Sequence, residues 1–204
     1  MTLKLVLKTS NQRKINEFKL ANIQNLEILP GEDHPEIQSD DHILVAAYKA
    51  QDSGENVIIE DSILSIEDDS GKMESIIDIK FKLKEIKSNM SNYKHLTKKA
   101  IFTSTVAVKI DSKIYVQTYD FNGYIGEPYL EDGPVFGFDD VFYLKYNNEF
   151  KSMHLIKTKF DKACSPRINA LKMLFDNLDK KSMAHDGFYI FDTPLPVWNG
   201  DYQS

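Results

Sequence analysis

The sequence predicts an α/β protein, and three observations carry that prediction. The first apolar run, Leu3 to Leu7, has the length and composition of a buried strand and passes through Thr9, Ser10 and Asn11 into a helical pattern. A short strand at Leu26 to Leu29, a helix over Asp40 to Gln51 and the β-branched strand Val57-Ile58-Ile59 continue the alternation. Two alternating runs, Ala100 to Ile110 and Lys113 to Phe121, flank Asp111-Ser112 as a hairpin, and a last helix opens at Ser165-Pro166-Arg167.

Each element has its own signal. Thr9, Ser10 and Asn11 favour a turn and can cap a helix, while Ile15, Phe18, Leu20 and Ile23 form its apolar side from Lys14 onward. Pro30-Gly31-Glu32-Asp33 ends the second strand and leads into an acidic loop, Glu36 to Asp41. Asp40 or Asp41 suits the cap of the next helix and Gly54 its stop. The strand Val57 to Ile59 is expected to end at Glu60-Asp61-Ser62, ahead of an acidic loop from Glu67 to Gly71 and a helix over Ile76 to Lys87. Neither Ser88 to Lys99 nor Lys145 to Asp161 carries a clear pattern. Gly123 to Gly137 reads as loop, with Gly126, Pro128, Gly133 and Pro134, and Phe136, Phe138, Phe142 and Tyr143 then surround Asp139-Asp140. Ser165 suits an N-cap and Pro166 the first helical position, with Ile168, Leu171, Leu174 and Phe175 facing inward to about Leu178. The tail from Lys181, with Pro194, Pro196 and Trp198, is expected to lie extended on the surface.

A chain of 204 residues suits one larger domain or two small lobes. Its net charge of −6 argues against a broad nucleic-acid footprint, although a local positive site can still sit on an acidic protein. The lone cysteine, Cys164, excludes an intrachain disulfide and any cysteine-rich metal site. No apolar run reaches membrane-spanning length and the first residues lack a signal-peptide core, so the expectation is a cytoplasmic protein with no membrane partner.

Four short constellations could carry chemistry. The strand-to-helix corner with Thr9, Ser10, Asn11 and Lys14 is suited to an anion such as phosphate, through backbone N–H groups and the helix dipole; read blandly, it is a β-turn-α corner with a solvated lysine. It lacks the glycines of a Walker A loop or a dinucleotide fingerprint. Glu60-Asp61-Ser62 at a strand end can hold a divalent cation or take a proton from water, or else it is a pair of solvated acids. Phe136-Gly137-Phe138-Asp139 can stack a base and bond its edge, or be two sides of one strand. Arg167 beside a helix start can donate a bidentate bond, or be surface charge.

In this order the segments resemble the inosine triphosphate pyrophosphatase family, which removes non-canonical purine nucleotides. Thr9 to Glu17 resembles its opening T-x-N-x-x-K-x-x-E motif, and Glu60-Asp61-Ser62-Ile63-Leu64 its acidic motif, with isoleucine where glycine is frequent. Phe136-Gly137-Phe138-Asp139 resembles its F-G-[YW]-D loop and Ser165-Pro166-Arg167 its S-H-R helix start. The resemblance spans roughly Leu3 to Leu178. It implies an ITPase-like fold, a long mixed sheet with two α/β lobes around a central nucleotide cleft, in residues 1–180, followed by an aromatic extension at 181–204. It implies hydrolysis of ITP, dITP or XTP to the monophosphate and pyrophosphate with Mg²⁺, in a homodimer. Thr9, Ser10, Asn11 and Lys14 would hold the triphosphate. Asp61 would help bind Mg²⁺ and activate water, with Lys14 offsetting charge. Phe136, Gly137 and Phe138 would meet the base, with Asp139, Ser165 and Arg167 reading its edge.

Departures from the family cluster on the catalytic and base-reading side. The family histidine is Pro166 here, and the lysine four residues before the serine falls on Asp161, with Lys162 next door as its substitute. The family's metal-binding glutamate aligns with Leu44, with Asp41 three residues earlier as the nearest acid, and Asp140 replaces a proline. Two further readings therefore stand beside the enzyme: a nucleotide-binding relative with weakened turnover, and an interaction module using Phe188, Tyr189, Phe191 and Trp198. The enzymatic reading requires Lys14 and Asp61 to face one shared cavity.

Overall fold

Strand β1 (Leu5–Thr9) buries Leu5 and Leu7 and lies parallel to both β2 (Leu26–Pro30) and β4 (Val57–Glu67). The computed structural model describes residues 4–32, 36–76, 78–129, 135–179 and 186–203; Leu3, Asp33, Gly133, Pro134 and Lys181, all used in the reading above, lie outside the described residues. Hydrogen-bonded neighbours follow the order β2, β1, β4, β6 (Lys98–Ile110), β7 (Lys113–Ile125), β8 (Phe142–Tyr146) and β9 (Glu149–Ser152), with β5 (Met73–Ser75) on β4 and β10 (Phe188–Asp192) on β7, so parallel and antiparallel pairs share one mixed sheet. That is the expected ITPase-like α/β fold. The chain divides into two compact units: residues 1–62, 104–119 and 167–204 form one, and residues 63–103 and 120–166 the other.

In the first unit, α1 (Gln12–Lys19) starts earlier and stops sooner than the apolar pattern suggests. Asn11 caps it, Ile15 and Phe18 are buried, and Leu20 lies past its end, 46% exposed. Asn22 and Asn25 take left-handed φ values of 49° and 63°, which turn the chain back into β2. Helix α2 (His42–Ser53) is capped by Asp41 and stops at Gly54, which has φ 90°. Its Val45, Ala46, Ala47 and Ala50 pack with Ile59, Ala107, Ile114 and Val116. Helix α5 (Pro166–Asp179) begins on its proline, buries Ile168, Leu171 and Leu174, and binds Gln117 through Asn177 at 2.7 Å.

The C-terminal segment belongs to this unit rather than lying over it. β10 (Phe188–Asp192) pairs antiparallel with Lys113–Gln117 of β7, and β11 (Tyr202–Gln203) with β3 (Glu36–Ile37). Leu195 is buried and its N–H donates to Gln51 Oε1 at 2.6 Å. Trp198 meets the Tyr48 ring edge-on at 5.8 Å, while the Tyr48 hydroxyl donates to the Pro196 carbonyl at 2.6 Å. Of the aromatics expected to face a partner, Phe191 and Trp198 pack on the core, which accounts for their hydrophobicity. Tyr189 stays 40% exposed.

In the second unit the main surprise is β4, which does not end at Ser62. It runs on to Glu67 because Ile63, Leu64 and Ile66 continue a strand pattern with Leu64 and Ile66 buried. Asp68 then closes the turn by accepting from the N–H groups of Ser70 and Lys72, both at 2.8 Å, before β5 (Met73–Ser75). Helix α3 (Ile79–Ser88) is capped by Asp78, starting three residues later than expected, and a 3₁₀ turn at Met90–Tyr93 follows. The hairpin β6 (Lys98–Ile110) and β7 (Lys113–Ile125) has its outer ends in this unit and turns at Asp111, φ 55°, in the first. Next to β8 (Phe142–Tyr146), a Cβ on Gly123 would sit 2.3 Å from the Tyr143 carbonyl oxygen, so only glycine permits that approach. β9 (Glu149–Ser152) leads into the single turn α4 (Met153–Leu155) and a π-helical turn, Ile156–Phe160. Phe102, Phe138 and Phe142 pack edge-to-face at the heart of this unit.

If the C-terminal segment is a structural part of the first unit, Leu195→Ala should destabilise the protein by about 2 kcal/mol or more. Urea unfolding checks this; a change below about 0.5 kcal/mol would mark the segment as a surface appendage.

Candidate active site

Asn11 begins the site. Its Oδ1 accepts the N–H groups of Arg13 at 3.0 Å and Lys14 at 3.3 Å, and its own N–H donates to Thr9 Oγ1 at 3.3 Å. Amides expected to meet an anion are thus partly taken up by the cap. Lys14 and Glu17 stand one turn apart and face the same side of α1. Lys14 Nζ lies 2.9 Å from Glu60 Oε2, and Arg167 Nη1 lies 3.1 Å from Glu17 Oε2. Arg167 Nε donates to Ser62 Oγ at 3.1 Å and lies 3.2 Å from Glu60 Oε1, which also accepts the hydroxyls of Ser62 and of Ser104, the latter at 2.9 Å. Two cations and two carboxylates from α1, β4 and α5 therefore form one buried network.

Glu60 is its centre. Burial alone would raise its pKa, but Lys14, Arg167 and the Ser62 hydroxyl together lower it from 4.5 to about 2. Arg167, expected to read a base edge, is 6% exposed and ties α1, β4 and α5 together. Ser165, just before it, is fully buried.

Asp61 lies on the other face of β4. Strand alternation puts Glu60 and Ser62 on the α1–α5 side and Ile59 and Asp61 on the α2 side, where Ile59 packs in the α2 cluster. The two acids of β4 thus have different neighbours: Lys14 neutralises Glu60, and its field also reaches Asp61. Burial raises the Asp61 pKa; Lys49 opposes that and Glu60 and Glu36 add to it. Lys49 itself pairs with Glu36 at 2.5 Å. Asp41 is the helix cap, its Oδ1 accepting from Ile43 and Leu44 N–H at 3.0 and 3.2 Å, and Leu44 packs against the core. Among the described residues no three histidine, cysteine or acidic side chains gather as a preformed metal cage. The donor set at Asp61 still suits Mg²⁺, which typically takes one or two carboxylates and completes its shell with phosphate and water. A carboxylate whose pKa is raised by burial and by neighbouring acids is also stabilised by an added cation. An open pocket of about 390 Å³ elsewhere in this unit is lined by Leu5, Ile23, Asn25, Lys172 and Phe175, among others, and includes none of the expected site residues.

Within the second unit, Gly137 (φ 58°) makes the turn that separates Phe136 from Phe138. Phe138 is 5% exposed and fills the core, so it offers no face to a ligand. Phe136 is half-buried, with Lys157 Nζ 6.0 Å from its ring centroid. Asp139 is buried and pairs with Lys157 at 2.9 Å, while its carbonyl accepts the His154 N–H at 2.8 Å. Asp140 is buried against Lys87 at 2.9 Å. Lys162 is exposed on the turn that Asp161 closes by accepting the Ala163 N–H at 2.9 Å. The cation facing the aromatic turn is Lys157, which sequence spacing did not indicate because it sits on a π-helical turn. Glu17 and Glu60 were legible as motif residues, but their pairing with Arg167 and Lys14 was not.

A family model described as the Ham1 family matches residues 5–177, most of the chain and all four motif segments. The match stops before β10 and β11. No curated protein matches the chain.

Removing Arg167 would leave Glu17 and Glu60 buried without their shared cation. Arg167→Met should cost about 3–5 kcal/mol in chemical unfolding. The folded-state pKa of Glu60 lies below its ordinary value, so its stabilisation is present above about pH 4.5 and lost as pH falls toward 2. Acid unfolding curves of the wild type and Glu60→Gln should differ in that window, with the wild type the steeper.

Proposed function

The chain belongs to the Ham1 family, and from that premise we propose that it hydrolyses nucleoside triphosphates to the monophosphate and pyrophosphate. At family level the substrates are non-canonical purine nucleotides, so ITP, dITP and XTP are the candidates for this chain. The observation that carries the reading is the meeting of Lys14, Glu60 and Arg167, from three motif segments far apart in sequence, in one ion network. It supports a phosphate-handling role for the β1–α1 corner. Lys14, the Thr9 hydroxyl and the remaining amides at the start of α1 would bind the polyphosphate.

Asp61 would hold Mg²⁺, which when bound supplies charge neutralisation at the phosphates. Without the cation, its carboxylate has a raised pKa and so binds a proton more readily than an exposed aspartate does. It would take the proton from the attacking water as the new P–O bond forms. The bond between the α-phosphorus and the bridging oxygen breaks, and pyrophosphate leaves with the electron pair. Lys14 would offset the charge that develops on the leaving group.

A second reading, a nucleotide binder with little turnover, is favoured by the placement of Lys14 and Asp61 on opposite faces of β4, by Leu44 and by Pro166.

A panel of purine and pyrimidine triphosphates, assayed for pyrophosphate release with Mg²⁺, separates the two. Turnover should be highest with ITP, dITP or XTP, and Asp61→Asn should lower kcat at least ~100-fold without changing the circular dichroism spectrum. Lys14→Ala should chiefly raise KM. Melting shifts without turnover would establish the binder, and no shift with any nucleotide would remove both readings.

A further inference from the structure

We propose that Glu60 is a resident counter-anion that holds Lys14 in the free protein and yields it only to a polyphosphate, so that Glu60 sets the charge a ligand must carry to bind. The inference rests on the phosphate-handling reading of the β1–α1 corner and deepens it.

Three observations carry it. Lys14 bridges two environments: its side chain is 20% exposed, whereas that of Glu60 is fully buried. An anion can therefore approach the ammonium from solvent while Glu60 holds it from inside. The two oxygens of Glu60 are also held unequally. Oε1 accepts the hydroxyls of Ser62 and Ser104 and faces Arg167 Nε at 3.2 Å. Oε2 is buried and has Lys14 Nζ at 2.9 Å, the contact on its solvent-reaching side. Oε2 is thus the exchangeable contact, and Oε1 keeps the carboxylate anchored if Lys14 swings away. Finally, Lys14 and Glu60 neutralise one another at their contact. Drawing Lys14 out takes one positive charge away from a buried carboxylate, and that penalty falls on the affinity of every anion that does so.

A ligand with one phosphate offers Lys14 little more than Glu60 already does. A triphosphate offers several adjacent charges, and its attraction grows with each of them. Glu60 would therefore reject orthophosphate and monophosphates, including the monophosphate product, while admitting polyphosphates. This makes it a specificity-determining residue of the proposed site.

The test uses inorganic triphosphate and orthophosphate as probes, titrated calorimetrically into the full-length protein without divalent metal. Glu60→Gln should bind triphosphate about 10-fold tighter than the wild type and should bind orthophosphate measurably. Lys14→Gln should lose triphosphate binding. Should Glu60→Gln not fold, Glu60→Asp keeps the charge but draws it back from Lys14, and a smaller gain of the same sign is expected. If the folded Glu60 variant binds triphosphate no tighter than the wild type while Lys14→Gln loses it, the resident-anion role is overturned and the phosphate reading survives. If neither wild type nor variants bind triphosphate, both fall.

Discussion

A buried carboxylate that keeps its charge needs cations close at hand, and Glu60 is where this protein meets that requirement. Burial opposes ionisation, yet Lys14 and Arg167 hold its pKa at about 2. Glu17 then balances Arg167 at 3.1 Å. Because these side chains come from α1, β4 and α5, the network fixes how two helices pack against a central strand. Such a cluster contributes less to net stability than to specifying one arrangement, since any register that separates its members leaves a buried charge unpaired.

The same constraint shapes the chemistry available on β4. A strand points successive side chains to opposite faces, so adjacent acids in the sequence serve different neighbourhoods. Glu60 is committed to the cations of α1 and α5. Asp61 faces the α2 side, where burial and the nearby charges of Glu36 and Glu60 outweigh Lys49 and raise its pKa. The two neighbourhoods push the carboxyl groups in opposite directions, holding Glu60 charged and favouring a proton on Asp61. Environment, rather than residue type, separates the two roles.

Departures from the family pattern have structural counterparts. Asp161 closes a turn after the π-helical segment. Leu44 packs with the α2 core, and Asp41 caps the helix at the start of that turn. Asp140 is buried against Lys87 of α3. Pro166 begins α5. Beyond the family match, β10 and β11 complete the first unit with strand pairing and with Leu195, Phe191 and Trp198 packed on its core.

By itself the sequence determined the α/β class, the family, the β6–β7 hairpin, an aspartate cap on α2 at Asp40 or Asp41 and the start of α5 at Pro166. These are local properties: periodicity, turn chemistry and motif order act over a few residues. The length of β4, the early end of α1 and the strands of the C-terminal segment were decided by pairing partners far away in the chain. The same holds for the site. Lys14, Glu60, Asp61 and Arg167 were all legible as candidates. Which carboxylate takes Lys14, and that Arg167 is a buried tie between elements, depended on strand alternation and helix packing. Those contacts join residues up to 150 positions apart, and spacing along one chain carries no information about which of them will meet.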